Sequence, residues 1–153
     1  SFWILSNLLQ SIPNVILPIV LDDDFIQNVV NIASSGSFDL KKEASFLLST
    51  IIINSALPNI KHFITKEIFD ILTDMLSSGD RKIIDNCLRT FAKFSSSAIQ
   101  EGSQACLQLI DIASSSDLPS SLSEIAEDKN NIDLSEKAEM LYNQLIALQG
   151  GEA

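Results

Sequence analysis

The side chains in this sequence that could carry chemistry are few and poorly partnered. His62 is the one histidine. Its neighbours Lys61 and Phe63 supply neither a nucleophile nor an orienting carboxylate at helical spacing, so general acid–base catalysis lacks the partners it needs. No P-loop, GxSxG, HExxH or HxE signature occurs. The chain is therefore expected not to be an enzyme, with no catalytic residue, no metal and no cofactor. Cys87 and Cys106 stand in no CxxC and beside no histidine, a pattern that fits inert thiols in a reducing intracellular compartment. Asp22-Asp23-Asp24 directly precede an apolar run, where they suit either the cap and first turn of a helix or a cation site. One further pair stands out. Trp3 and Asn7 are four residues apart, which on a helix holds an indole and an amide side by side on one face.

The elements that must position these residues are helices. Phe25, Ile26, Val29, Val30, Ile32 and Ala33 form one broad apolar helical face that stops at Ser34-Ser35-Gly36. No stretch alternates with period two for long enough to argue a sheet. Sliding the chain against itself by 43 residues superposes Phe25, Ile26, Val29, Ile32, Ala33 and Ser34-Ser35-Gly36 on Ile68, Phe69, Leu72, Met75, Leu76 and Ser77-Ser78-Gly79. The register continues downstream, with Leu40, Ala44 and Leu48 falling on Ile83, Cys87 and Phe91. A degraded third copy pairs Asp39, Leu40 and Ala44 with Asp133, Leu134 and Ala138 after an eight-residue insertion around Ser114 to Ser123.

Each unit reads as a short helix, a second helix, a Ser-Ser-Gly turn and a long third helix. The expected segments are 14–21, 22–34 and 38–54, then 58–66, 67–77 and 80–97, and finally 103–114, 119–127 and 133–148. The runs Ser95-Ser96-Ser97, Ser114-Ser115-Ser116 and Ser120-Ser121 look like loops. This period belongs to armadillo and HEAT arrays, in which one unit cannot bury its apolar stripe alone. The expected fold is all-α, a right-handed armadillo-repeat superhelix (solenoid) of about three and a half repeats across residues 1–153. Residues 1–10 would close a preceding repeat, 14–55 and 57–97 would be repeats, and 103–148 a degenerate capping repeat.

Charge narrows the partners. Twenty acids against ten bases give a net charge of −10, a poor match for nucleic acid, whose affinity comes largely from Lys and Arg neutralising phosphates. Basic or cationic partners suit it better. The apolar stretch from Ile4 to Leu21 is interrupted by Ser6, Asn7, Gln10, Ser11, Pro13, Asn14 and Pro18, so neither a membrane span nor a signal peptide is expected. The opening Ser1-Phe2-Trp3-Ile4-Leu5, without a methionine, reads as a cut inside an apolar helix of something longer. Acidity is uneven: residues 1–60 carry −3, 61–100 carry +1 and 101–153 carry −8.

Three segments carry a family resemblance. Trp3-Ile4-Leu5-Ser6-Asn7 resembles a W-x-x-S-N segment, and Phe38-Asp39-Leu40-Lys41-Lys42-Glu43-Ala44-Ser45-Phe46 an F-x-x-[KR]-K-E-A-x-W pattern. Ile125 to Ile146, with Glu136-Lys137-Ala138 opening its last helix, looks like a shortened final repeat. Together they resemble the C-terminal armadillo repeats of importin α (karyopherin α), the nuclear import adaptor. The resemblance implies that Asn side chains bond the backbone of an extended basic nuclear localisation signal, while aromatic rings stack on Lys or Arg stems and acids take the cationic heads. The peptide-binding residues it implies are Trp3, Asn7, Glu43, Phe46 and Thr50, part of the minor site. It further implies an export receptor with the GTPase Ran on the acidic C-terminal repeats. Importin β would bind through an N-terminal region absent from these residues, and the adaptor would shuttle between cytoplasm and nucleus, with no nucleic-acid or membrane role.

The ladder changes along the chain, for Trp3 and Asn7 align with Phe46 and Thr50, then Arg89 and Lys93, then Met140 and Gln144. Phe is a weaker cation platform than Trp, and Arg89 and Lys93 would repel a basic peptide. Two other readings stand beside this one. Trp3 and Phe46 equally suit a packed core, and the acidic end equally suits the solvated face of a cap. An armadillo scaffold unrelated to nuclear transport is the alternative function. If Phe2, Trp3, Ile4 and Leu5 face a missing repeat, the chain should self-associate, and light scattering that finds a strict monomer at high concentration would count against that.

Overall fold

The computed structural model describes residues 2–150, and Ser1, at the head of the first expected helix, and residues 151–153 lie outside them. The described residues form ten α-helices and one 3-10 turn, with no strand among them. In order these are α1 (Phe2–Ser11), α2 (Pro13–Val20), α3 (Asp23–Ser35), α4 (Phe38–Asn54), α5 (Leu57–Ile60), the 3-10 turn Lys61–Phe63, α6 (Lys66–Met75), α7 (Arg81–Glu101), α8 (Ser103–Ser114), α9 (Leu118–Glu127) and α10 (Ile132–Gly150).

Capping chemistry repeats with the 43-residue period. Asp22 caps α3 by accepting the Phe25 N–H at 2.9 Å, and 43 residues later Thr65 caps α6 by accepting the Ile68 N–H at 3.3 Å. Ser37 accepts the Leu40 N–H at 3.4 Å at the start of α4, and Asp80, 43 residues on, accepts the Ile83 N–H at 3.3 Å at the start of α7. Each contact satisfies a backbone donor that the helix itself cannot. Asp23 and Asp24 occupy the first turn of α3, where they complement its dipole. The two Ser-Ser-Gly turns need glycine for different reasons. A Cβ on Gly36 would meet the Ile32 carbonyl oxygen at 2.7 Å, whereas Gly79 has φ +78°.

Two serine runs that look like loops are helical instead, in keeping with the expected segments 80–97 and 119–127. Ser95-Ser96-Ser97 is helical, inside α7, and Ser120-Ser121 lies inside α9. Ser95 and Ser97 are buried, and the Ser97 hydroxyl donates to the Leu57 carbonyl of α5 at 3.4 Å. Packing of α5 along the end of α7 therefore overrides weak local propensity, and the helix continues to Gly102, whose φ of +118° ends it. The segment expected as one helix over 58–66 is instead the single turn of α5 followed by the 3-10 turn. Ile64 and Thr65 then leave helical geometry so that Thr65 can cap α6.

The long helices form a row in which α1 packs on α4, α4 on α7 and α7 on α10. Behind it α3 packs on α4 and α6, α6 on α7, and α8 and α9 on α10. Phe69, Phe91 and Phe94 fill the seam between α6 and α7 with ring centroids 5.0 to 6.1 Å apart. Each such ring contributes about 1.5–3 kcal/mol by leaving water. At the α1 end, Trp3, Ile4, Leu8, Ile12, Val15 and Ile19 are exposed, whereas Phe2 and Leu5 pack against the core.

Polar contacts fix the α4–α7 register. The buried Asn86 amide donates to Ser49 Oγ and to Thr50 Oγ1, both at 3.0 Å. Both hydroxyls in turn donate to the Phe46 carbonyl, at 2.9 and 2.7 Å. Asn86→Ala should destabilise the chain by about 1–3 kcal/mol, because two buried hydroxyls lose their donor. The exposed Asn143→Ala should shift stability by less than about 0.5 kcal/mol. Urea unfolding followed by circular dichroism checks both.

Candidate functional site

The aromatic and acidic residues singled out in the sequence meet where α1 crosses α4. Trp3 stands in the first turn of α1, with its ring 5.1 Å from that of Phe46, centroid to centroid, and tilted by 47°. Its backbone N–H is one of the donors a helix start leaves unsatisfied, and it donates to Glu43 Oε1 at 3.2 Å. Glu43 thus caps α1 from the neighbouring helix and sets its charge at the positive end of that helix dipole. Asn7, one turn beyond Trp3, is exposed and its side chain makes no hydrogen bond among the described residues.

The other two residues lie deeper. Phe46 is 0% exposed, and Lys82 of α7 sets its ammonium over the ring, 5.2 Å from the centroid. Thr50 is 2% exposed, and its hydroxyl is engaged with the Phe46 carbonyl and the Asn86 amide. The structure therefore brings Trp3, Glu43 and Phe46 together, leaves Asn7 accessible beside them, and turns Thr50 into the α4–α7 contact. Trp3, at 36% exposure, combines contact with the core and a face open to solvent.

Further along the row the cations are differently disposed. Lys93 is half-buried and donates to the Ile53 carbonyl in the last turn of α4, and burial lowers its pKa. Held against the negative end of a helix dipole, it does not present the free positive charge expected from the sequence. Lys137 of α10 bonds Asp85 of α7 and pairs with Asp133 at 3.4 Å, and its pKa is raised, first by the hydrogen bond to Asp85. Arg89 is exposed and joins no ion pair among the described residues.

Lys82 and Asn86 are the functional neighbours that sequence reading missed. The offset of 43 names equivalent positions, but residues touching across the α4–α7 seam lie 36 to 40 apart, as in Lys82–Phe46, Asn86–Thr50, Asn86–Ser49 and Lys93–Ile53. Moving two helical turns back from the positions equivalent to Phe46 and Thr50 would have found both.

Among the described residues no group of three or more His, Cys, Asp and Glu side chains could hold a metal ion. Among them no helix is long and apolar enough to cross a membrane. Burial pushes the Cys87 thiol up, far from a reactive thiolate. The sequence matches no family model and no curated protein.

Trp3 is the one tryptophan, so its emission reports on this junction. Phe46→Ala should destabilise the chain by about 3–5 kcal/mol and red-shift that emission. Asn7→Ala should change neither by much, with a stability shift below about 0.5 kcal/mol. Denaturant titration read by tryptophan fluorescence measures both.

Proposed function

We propose that this chain is an armadillo-type binding adaptor of the importin α kind, a right-handed solenoid segment that holds a basic peptide at its α1–α4 junction and is not an enzyme. The observation that carries the reading is the junction itself. A half-exposed indole, an accessible amide one turn away and a carboxylate from the next helix lie together on a row of helices spaced by a 43-residue repeat. Trp3 supplies a face for a Lys or Arg stem, Asn7 a donor and acceptor for peptide backbone, and Glu43 negative charge beside them. Phe46 supports the indole from below.

The remaining assignments rest on the resemblance and belong to the same proposal. The acidic residues after position 100 form the surface for an export receptor with Ran, importin β acts through a region outside these residues, and the adaptor shuttles between cytoplasm and nucleus. The −8 carried by residues 101–153 supports a basic partner there.

A second reading is favoured by Lys82 and Thr50. With the Phe46 ring already under a lysine and Thr50 buried, the α4 rung offers little to a peptide. A scaffold that joins proteins through other faces, without a role in nuclear transport, needs no such rung.

A fluorescein-labelled Lys/Arg-rich signal peptide titrated by anisotropy separates the two. Trp3→Ala should weaken binding on the order of 2- to 30-fold, the loss of one cation–π contact of about 0.5–2 kcal/mol. Lys82→Ala should strengthen it by uncovering the Phe46 ring. If the wild type binds the peptide no tighter than a scrambled peptide of the same composition, or Trp3→Ala binds equally well, the scaffold reading replaces the adaptor one.

A further inference from the structure

At the far end of the same row an open groove of about 550 Å³ lies between α7 and α10, within the range that holds a ligand side chain or small molecule. Its walls are mostly apolar, from Leu88 and Ala92 of α7 and Met140 and Leu141 of α10. Met140 is 73% exposed, and its flexible thioether can fit ligands of different shape.

The polar groups at its rim decide what fits. Lys137 is committed to Asp85 and Asp133. Arg89 is exposed, has no ion pair among the described residues and is therefore the uncompensated charge of the groove. Gln144, which also lines it, occupies the position equivalent to Asn7 and offers a donor and an acceptor to a passing backbone. An apolar hollow with one unpaired guanidinium and an amide beside it is complementary to a carboxylate-bearing segment and repels a basic one.

We propose that this groove is a docking site for an extended peptide carrying a Leu- or Met-like side chain next to an Asp or Glu. The apolar side chain enters between Leu88, Ala92, Met140 and Leu141, the carboxylate pairs with Arg89 in two parallel hydrogen bonds, and Gln144 bonds the peptide backbone. The site stands independently of the basic-peptide reading, since it lies on other helices and selects the opposite charge.

The probe is a fluorescein-labelled ten-residue peptide with one Leu-Asp-Leu core flanked by Gly and Ser. It is titrated against the full chain by fluorescence polarisation at about 150 mM salt, where remote charges are screened. Arg89→Glu in the protein, Asp→Asn in the peptide, or Leu→Ala in the peptide should each weaken binding on the order of tenfold or more. Arg89→Glu should also gain affinity for the matching Leu-Lys-Leu peptide, which a purely structural role of Arg89 would not produce. Asn28→Ala, at an exposed position of α3, should bind as the wild type does. Circular dichroism checks each variant, and if Arg89→Glu disturbs the fold, Arg89→Gln carries the same expectation of loss. The proposal is overturned if the Leu-Asp-Leu peptide binds no tighter than an all-Gly/Ser peptide, if a folded Arg89 variant binds it as the wild type does, or if the wild type prefers Leu-Lys-Leu.

Discussion

Nine consecutive residues of α4, Ala44 to Ile52, are buried. A helix buried along a run longer than two turns has no solvent face there, so it must be enclosed by neighbours on every side. For α4 those neighbours are α1, α2, α3, α6 and α7, helices from both sides of it in the sequence. This enclosure makes the chain a stack: α4 cannot be fully packed until the helices before it and the helices after it are both in place. Stability of that kind resides in contacts between units more than within them. The run also contains Ser45, Ser49 and Thr50. Burying hydroxyls without partners is unfavourable, and the Phe46 carbonyl together with the Asn86 amide satisfies two of the three. The pairing of Asn86 with Ser49 and Thr50 favours one register of α7 on α4, because a slip by one turn would take both acceptors away from the buried Asn86 amide.

That register governs what the row can offer a ligand. Equivalent residues of the first two copies lie 43 positions apart, and Trp3 meets its equivalent Phe46, but the polar contacts along the row fall at separations of 36, 37 and 40, so a side chain aimed along the row meets the next helix before it meets solvent. Phe46 receives Lys82, Ile53 receives Lys93, and Trp3 binds Glu43 through its backbone. Groups a peptide would use are thereby partly consumed by the fold. Those left accessible are Trp3 and Asn7 on α1, Arg89 on α7, and Met140 on α10.

How much of this was legible depends on the kind of signal. Helix starts were readable in part because caps are local chemistry: Asp22 marks the start of α3 from sequence alone, whereas Thr65, expected inside a helix over 58–66, proves to be the cap of α6. The period was readable because it reflects repeated burial, as in Val29 and Leu72, or Ala44 and Cys87, all fully buried. The end of α7 was readable only in part, since the expected segment stops at Ser97 whereas the helix runs on to Glu101. Of the candidate site, Trp3, Asn7 and Glu43 were legible as neighbours on one face or one seam. The burial of Thr50 and the lysine on Phe46 were not, since both depend on the contact offset between helices, which the repeat period does not specify.

Electrostatics obeys the same division between the charges a sequence counts and the charges a seam uses. Summed over residues 61–100 the charge is +1, and Arg89 and Lys93 look alike there. In the fold they differ. Lys93 gives its charge to a helix terminus at Ile53, as Lys137 gives its own to Asp85 and Asp133, while Arg89 keeps its guanidinium for whatever arrives. The net charge of −10 acts on approach and at a distance, and at physiological salt it fades over about 8 Å. Beside the hollow between α7 and α10 the nearest uncommitted charge is that of Arg89, so an acidic molecule can carry a local site of the opposite sign.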